Sequence, residues 1–145
     1  MKKYVGIWLD HREAFVVYLQ DNRPLTIGSQ ETVERIESDI ERRVRLSGGS
    51  RSRKTPYGPQ DISVDGRQET RIKTQLNLYY QQIIQRISDA DRILIFGPGE
   101  AKHELKKAIE KTKQLAAKIK QVESADKMTI RQITAKSRAF FKPYL

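Results

Sequence analysis

Tyr4-Val5-Gly6-Ile7-Trp8-Leu9-Asp10-His11-Arg12-Glu13-Ala14-Phe15-Val16-Val17-Tyr18-Leu19 is the stretch on which the fold turns. Two apolar runs flank the polar corner Asp10-His11-Arg12-Glu13, and each run has the length and composition of a buried strand. A connection this short joins only antiparallel strands, because a parallel pair needs a crossover of a dozen residues or more. Asp21-Asn22-Arg23-Pro24 is a second turn, and Leu25-Thr26-Ile27-Gly28-Ser29 with Thr32-Val33 extends the meander into a third strand. Residues 41–66 then hold four glycines, two prolines and many polar groups, so a long loop is expected there. It exceeds the ~12–15 residues usual for a loop, which marks it as functional or disordered.

Beyond Gly66 the period changes. Ile72, Leu76, Tyr79, Ile83 and Ile87 recur at helical spacing, and Arg92-Ile93-Leu94-Ile95-Phe96 is a continuous apolar run closed by Gly97-Pro98-Gly99. The next helix is expected to turn Leu105, Ala108 and Ile109 inward and Lys102, Lys106, Lys107, Lys111 and Lys113 outward. Ala117 and Ile119 alternate with Lys118 and Lys120 as in a strand with one wet face. Thr129-Ile130-Arg131-Gln132 has the form of a capping box opening a last helix, with Ile130, Ile133, Ala139 or Phe140, and Phe141 as its apolar face. Three strands, a long loop, and then helix, strand, helix, strand, helix predict an α/β domain with a mixed five-stranded sheet and helices on both faces. That is the three-layer ribonuclease-H-like plan, and residues 1–145 are read as a single domain.

Composition narrows the function. The charged fraction is 32%, the apolar fraction 37%, and there is no cysteine, which excludes disulfides, thiolate metal sites and a cysteine nucleophile. The two histidines, His11 and His103, offer little for a zinc site, and no cofactor or metal is expected. No apolar run approaches the ~20 residues that span a bilayer, and the opening residues break too soon for a signal peptide, so a cytoplasmic protein without membrane contact is expected. The net charge of +10 is segregated: residues 1–40 carry five bases against seven acids, residues 41–54 six against one, and residues 100–145 twelve against five. Segregated positive charge points to a polyanionic partner. A solubilising lysine coat accounts for the C-terminal third equally well, but poorly for an arginine-rich loop, because solvating faces mix signs.

The candidate site is that loop. Arg42, Arg43, Arg45, Arg51, Arg53 and Lys54 surround the tip Gly48-Gly49-Ser50. Guanidinium matches phosphate with paired hydrogen bonds, and glycine lets a backbone amide approach a phosphate closely. Tyr57 follows, either stacking on an unpaired base or packing on the domain. RNA is the expected partner.

The opening Tyr4-to-Ala14 stretch, the Ile93-to-Glu100 strand and turn, and the Lys127-Met128-Thr129 helix start resemble the small bacterial "translational machinery" proteins. These are similar to the middle domain of archaeal and eukaryotic class-1 release factors and Pelota. The resemblance implies the same ribonuclease-H-like sheet and a place at the ribosome, with ribosomal RNA, or alternatively tRNA, as partner. Release factors carry Gly-Gly-Gln in the corresponding loop to promote ester hydrolysis. Here Gly48 and Gly49 match the glycines, but Ser50 stands in the glutamine position and Gln60 follows Gly58-Pro59 instead. A serine hydroxyl cannot match the reach of a glutamine amide, so ribosome binding in rescue, release or hibernation without catalysis is expected. Two alternatives remain open: peptidyl-tRNA ester hydrolysis through Ser50 or Gln60, and a protein-interaction module for an acidic partner.

Other motifs have plainer readings. Gly97-Pro98-Gly99-Glu100 is expected to be a tight strand-to-helix turn, because Glu100 would repel a phosphate. Asp10 occupies the strand end where ribonuclease-H-type nucleases hold magnesium, but Asp89 and Asp91 are expected at the opposite end of their strand. Arg131, Lys136, Arg138 and Lys142 of the last helix are read equally as RNA contacts or as a solvated face.

Overall fold

A computed structural model describes residues 2–20, 32–40 and 58–144, with the backbone alone over 58–68. Lys3–Leu9 (β1) and Glu13–Gln20 (β2) form the expected antiparallel pair, with Ile7 opposite Val16 and Trp8 opposite Phe15. Asp10 closes the corner: its Oδ1 accepts from the N–H groups of Arg12 and Glu13 at 2.8 and 2.9 Å. A short carboxylate that captures amides two and three residues ahead stabilises such a turn. Thr32–Glu37 (β3) adds antiparallel to β2, so the third strand occupies 32–37, and the 25–29 segment lies outside the described residues.

The long helix Gly58–Arg86 (α1) begins well before the expected boundary at Gly66, so residues 58–66 of the anticipated 41–66 loop are helical. Pro59 falls in the first turn, where a missing N–H leaves no bond unmade, and Gly66 costs only about 1 kcal/mol relative to alanine inside a helix. Residues 41–57 lie outside the described residues. The chain continues through Arg92–Gly97 (β4), Ala101–Glu110 (α2), Lys113–Ala116 (α3), Ile119–Ser124 (β5) and Ile130–Phe141 (α4), ending in a 3-10 turn at Lys142–Tyr144. β4 runs parallel to β1 and β5 parallel to β4, giving the order β3-β2-β1-β4-β5. This is the mixed five-stranded ribonuclease-H-like sheet.

Period-two alternation sends each strand's side chains to two cores. Val5, Ile7 and Leu9 of β1, with Val16, Ile93 and Ile95, meet Tyr79 and Ile83 of α1, Ile87 just past its end, and Leu105 and Ile109 of α2. Tyr4, Trp8, Phe15, Val17, Leu94 and Phe96 meet Ile133 and Phe141 of α4 on the other face. The buried indole of Trp8 donates to the Asp126 carbonyl at 3.1 Å, so its polar edge is satisfied by the β5–α4 connection.

Three side chains depart from the sequence expectation. Lys102 is buried rather than outward, its stem packed beside Leu105 and its Nζ donating to the Gly99 carbonyl. Lys102, Leu105 and Ile109 are spaced three and four apart, so all three lie on one stripe of α2. On α4 the stripe is Ile133, Ser137 and Phe141, while Ile130 is exposed; of the alternatives Ala139 and Phe140, it is Phe140 that packs against this core. Ala117 is an exposed turn residue, because a single helical turn at α3 delays the strand to Ile119. The capping box itself is complete: Thr129 Oγ1 accepts from Gln132 N–H and Gln132 Oε1 from Thr129 N–H.

Candidate nucleic-acid interface

Arg42, Arg43, Arg45, Gly48, Gly49, Ser50, Arg51, Arg53 and Lys54 all lie outside the described residues. The structure shows the frame that precedes them in the chain. Past the end of β3, Ser38 is buried and held on three sides. Its N–H donates to the Arg12 carbonyl, its hydroxyl to the His11 carbonyl at 2.7 Å, and its own carbonyl accepts from Gln75 Nε2 at 2.7 Å. Asp39 then adopts φ +57°, a left-handed geometry that a short polar side chain tolerates better than most. The chain leading into the arginine-rich segment is therefore anchored to both the β1–β2 corner and α1.

The turn of α1 that holds Ser38 also borders a cleft of about 640 Å³ between α1 and α2. Lys73, Leu76 and Tyr80 line it from α1, and Glu104, Lys107 and Lys111 from the α2 side. The three lysines are exposed, and none has an ion-pair partner among the described residues. Glu104, the acid of this lining, is engaged: its Oε1 accepts from Tyr80 OH at 2.6 Å and lies 3.1 Å from His11 Nε2. Burial, then the hydrogen bond to Glu104, pushes the Tyr80 phenol up. Tyr79 is likewise pushed up, by burial and then by Asp10, and donates to the Asp10 carbonyl at 2.9 Å. Both hydroxyls thus act as neutral donors that brace the cleft wall against the β1–β2 corner.

The cleft residues Lys73 and Tyr80 were not signalled by the α1 stripe, which followed Leu76, Tyr79 and Ile83. A second stripe through Leu76, Tyr80 and Ile84 marks the side facing α2. Of the basic residues on the last helix, Lys136 pairs with Glu123 at 2.8 Å and lies over the Phe96 ring, so it holds α4 to the sheet.

The remaining motifs behave as local structure. Gly97 adopts φ +151° with its α-carbon against the Leu9 backbone, where a Cβ would lie 2.2 Å from the carbonyl oxygen. Gly97 to Glu100 form a tight turn into α2, with Gly99 at φ +64°. Asp91 accepts from the Lys3 N–H and Asp89 pairs with Lys3 Nζ, both at the start of β1, whereas Asp10 follows its end. The Lys3 ammonium beside Asp89 holds that carboxyl below its ordinary range. Among the described residues no group of three or more histidines and carboxylates is placed to hold a metal ion, and no helix is long and apolar enough to cross a membrane.

Comparison with solved structures finds the Pelota protein of Thermoplasma acidophilum, with a TM-score of 0.48 at 16% identity, covering 97% of this chain and 32% of that one. An archaeal translation termination factor gives a TM-score of 0.45 at 11% identity, covering 98% of this chain and 39% of that one. A PilM–PilN type IV pilus biogenesis complex gives 0.40 at 13% identity, covering 96% and 43%. The chain thus spans less than half the length of each. No family model matches the chain, and no curated protein matches it.

Proposed function

We propose that this domain binds ribosomal RNA, and through it the ribosome, with the arginine-rich segment 42–54, and performs no chemical step of its own. The observation that carries this reading is the rooting of that segment. Residues 41–54, with six bases against one acid, follow shortly after Ser38 in the sequence, and Gln75 of α1 ties Ser38 beside the cleft lined by Lys73, Lys107 and Lys111. Lysines from two parts of the chain share that cleft, and a strongly basic sequence follows Ser38 along the chain, which together favour a polyphosphate over a small acidic ligand. The resemblance of Tyr4–Ala14, Ile93–Glu100 and Lys127–Thr129 to small translational-machinery proteins, themselves similar to release-factor and Pelota middle domains, directs the choice to the ribosome, in a rescue, release-factor-like or hibernation role. Ser50 in place of glutamine directs it away from hydrolysis.

The test is sedimentation of a lysate on sucrose gradients at low and high salt, following the unaltered protein and the quadruple variant R43E/R45E/R51E/R53E. Co-migration with ribosomes or a subunit, lost at high salt and in the variant but kept in Ser50→Ala, is the expected result. Migration with light fractions at low salt would overturn the reading, as would an association that survives nuclease treatment, which would identify an acidic protein partner.

A further inference from the structure

The α1–α2 cleft has a chemistry of its own. Its walls combine cations with an apolar surface: Leu76 and Ala108 are partly buried against the core, and the lysines stand at the rim. Lys107 and Lys111 are four residues apart, hence neighbours on one helical face, and Lys73 faces them from α1. Asn77 adds a side-chain amide, which presents both a donor and an acceptor. About 640 Å³ is within the range of sites that enclose a single small organic group. Glu104 would oppose an anion, but it is already occupied by Tyr80 OH and His11.

From this geometry we infer that the cleft receives one unpaired nucleotide of the bound RNA. Lys107 and Lys111 meet its flanking phosphates, with Lys73 across the cleft. The base lies on Leu76 and Ala108, and Asn77 meets its hydrogen-bonding edge. The inference rests on the RNA reading above and adds a class of RNA: the protein prefers strands with an unpaired nucleotide to continuous duplex. A duplex keeps its bases stacked and paired, so it offers phosphates to the lysines but nothing to the apolar floor.

The experiment is fluorescence anisotropy of the full chain with a labelled single-stranded RNA decamer and with the corresponding ten-base-pair duplex, across a salt series. Three proteins are compared: unaltered, K107Q/K111Q, and K113Q/K120Q, which removes the same charge at exposed positions outside the cleft. K107Q/K111Q should weaken single-strand binding by about tenfold or more and lower the log–log salt slope by about 1.4, at ~0.7 per phosphate contact. K113Q/K120Q should change affinity less than about threefold on the same scale. Ala108→Phe fills the cleft without altering charge; it should reduce single-strand affinity about tenfold, or about 1.4 kcal/mol, through lost apolar contact while leaving duplex affinity unchanged. Equal losses in the two lysine pairs, or equal single-strand and duplex affinities in all proteins, would overturn the cleft assignment alone. Failure of the unaltered protein to bind either RNA would instead overturn the proposed function.

Discussion

Gly6 lies beneath Ser137, and the contact sets how closely α4 approaches the sheet. A Cβ on Gly6 would fall 2.0 Å from Ser137 Oγ and 2.6 Å from its Cβ, so a rotamer change of the serine alone cannot make room. The Ser137 hydroxyl is satisfied within its own helix by the Ile133 carbonyl at 2.9 Å, which lets a polar residue sit fully buried against a strand. Gly6→Ala should therefore destabilise the protein by about 1–3 kcal/mol, the usual cost of overpacking. Combined with Ser137→Gly, the two changes should cost less than their sum by about 1 kcal/mol or more, read from urea denaturation in a double-mutant cycle. Strict additivity would show that the approach of α4 is set elsewhere. The pairing was half legible: Gly6 interrupts an apolar run, and Ser137 continues the Ile133–Phe141 stripe, but nothing in the sequence says that the two meet.

At the level of elements, strands and caps were the most readable. Apolar runs and the Asp10 corner specified β1 and β2 because both depend on near neighbours, and the Thr129–Gln132 reciprocity is local in the same sense. Helix limits and helix faces were less readable. The α1 start at Gly58 depends on a small energetic balance over several residues, and the inward turn of Lys102 depends on a carbonyl supplied by the Gly97–Glu100 turn. The packing of β2 and α1 also carries a pH dependence. Burial, followed by the charge of Glu34, pushes the Tyr18 phenol up to about 12, and Tyr79 and Tyr80 are raised as well. Above the ordinary value of 10.0, the unfolded chain releases protons that the folded chain still holds. Stability is thus fully present below that pH and falls as pH rises toward about 12. Urea midpoints measured from pH 9 to 11.5 should decline above about pH 10, and Tyr18→Phe should flatten the decline. A flat profile in the unaltered protein would contradict the buried-phenol account.

For the whole molecule, the strand order β3-β2-β1-β4-β5 places the β1–β2 corner, the Ser38 anchor and the cleft side of α1 in contact, a few residues before the basic segment begins in the sequence. The proposed contact of the basic segment with RNA predicts a steep ionic-strength dependence. If four or five phosphates are neutralised, RNA affinity should fall with a log–log salt slope of about −3 to −4, at ~0.7–0.9 per phosphate. A slope near zero would remove phosphate contact as the main attraction. The charge segregation behind this prediction was visible along the chain, whereas the cleft was not, because Lys73 and Lys107 belong to different helices that only packing brings face to face. By itself the sequence determined the hairpin, the alternation of strand and helix, the capped last helix and the arginine-rich segment, since each follows from the properties of residues close along the chain. The tertiary structure alone decided that Ser137 seats on Gly6, that Lys102 turns inward, and that three lysines share a cleft with Glu104 held by Tyr80. Those relations depend on distances between residues far apart in sequence, which exist only once the two cores have closed on the sheet.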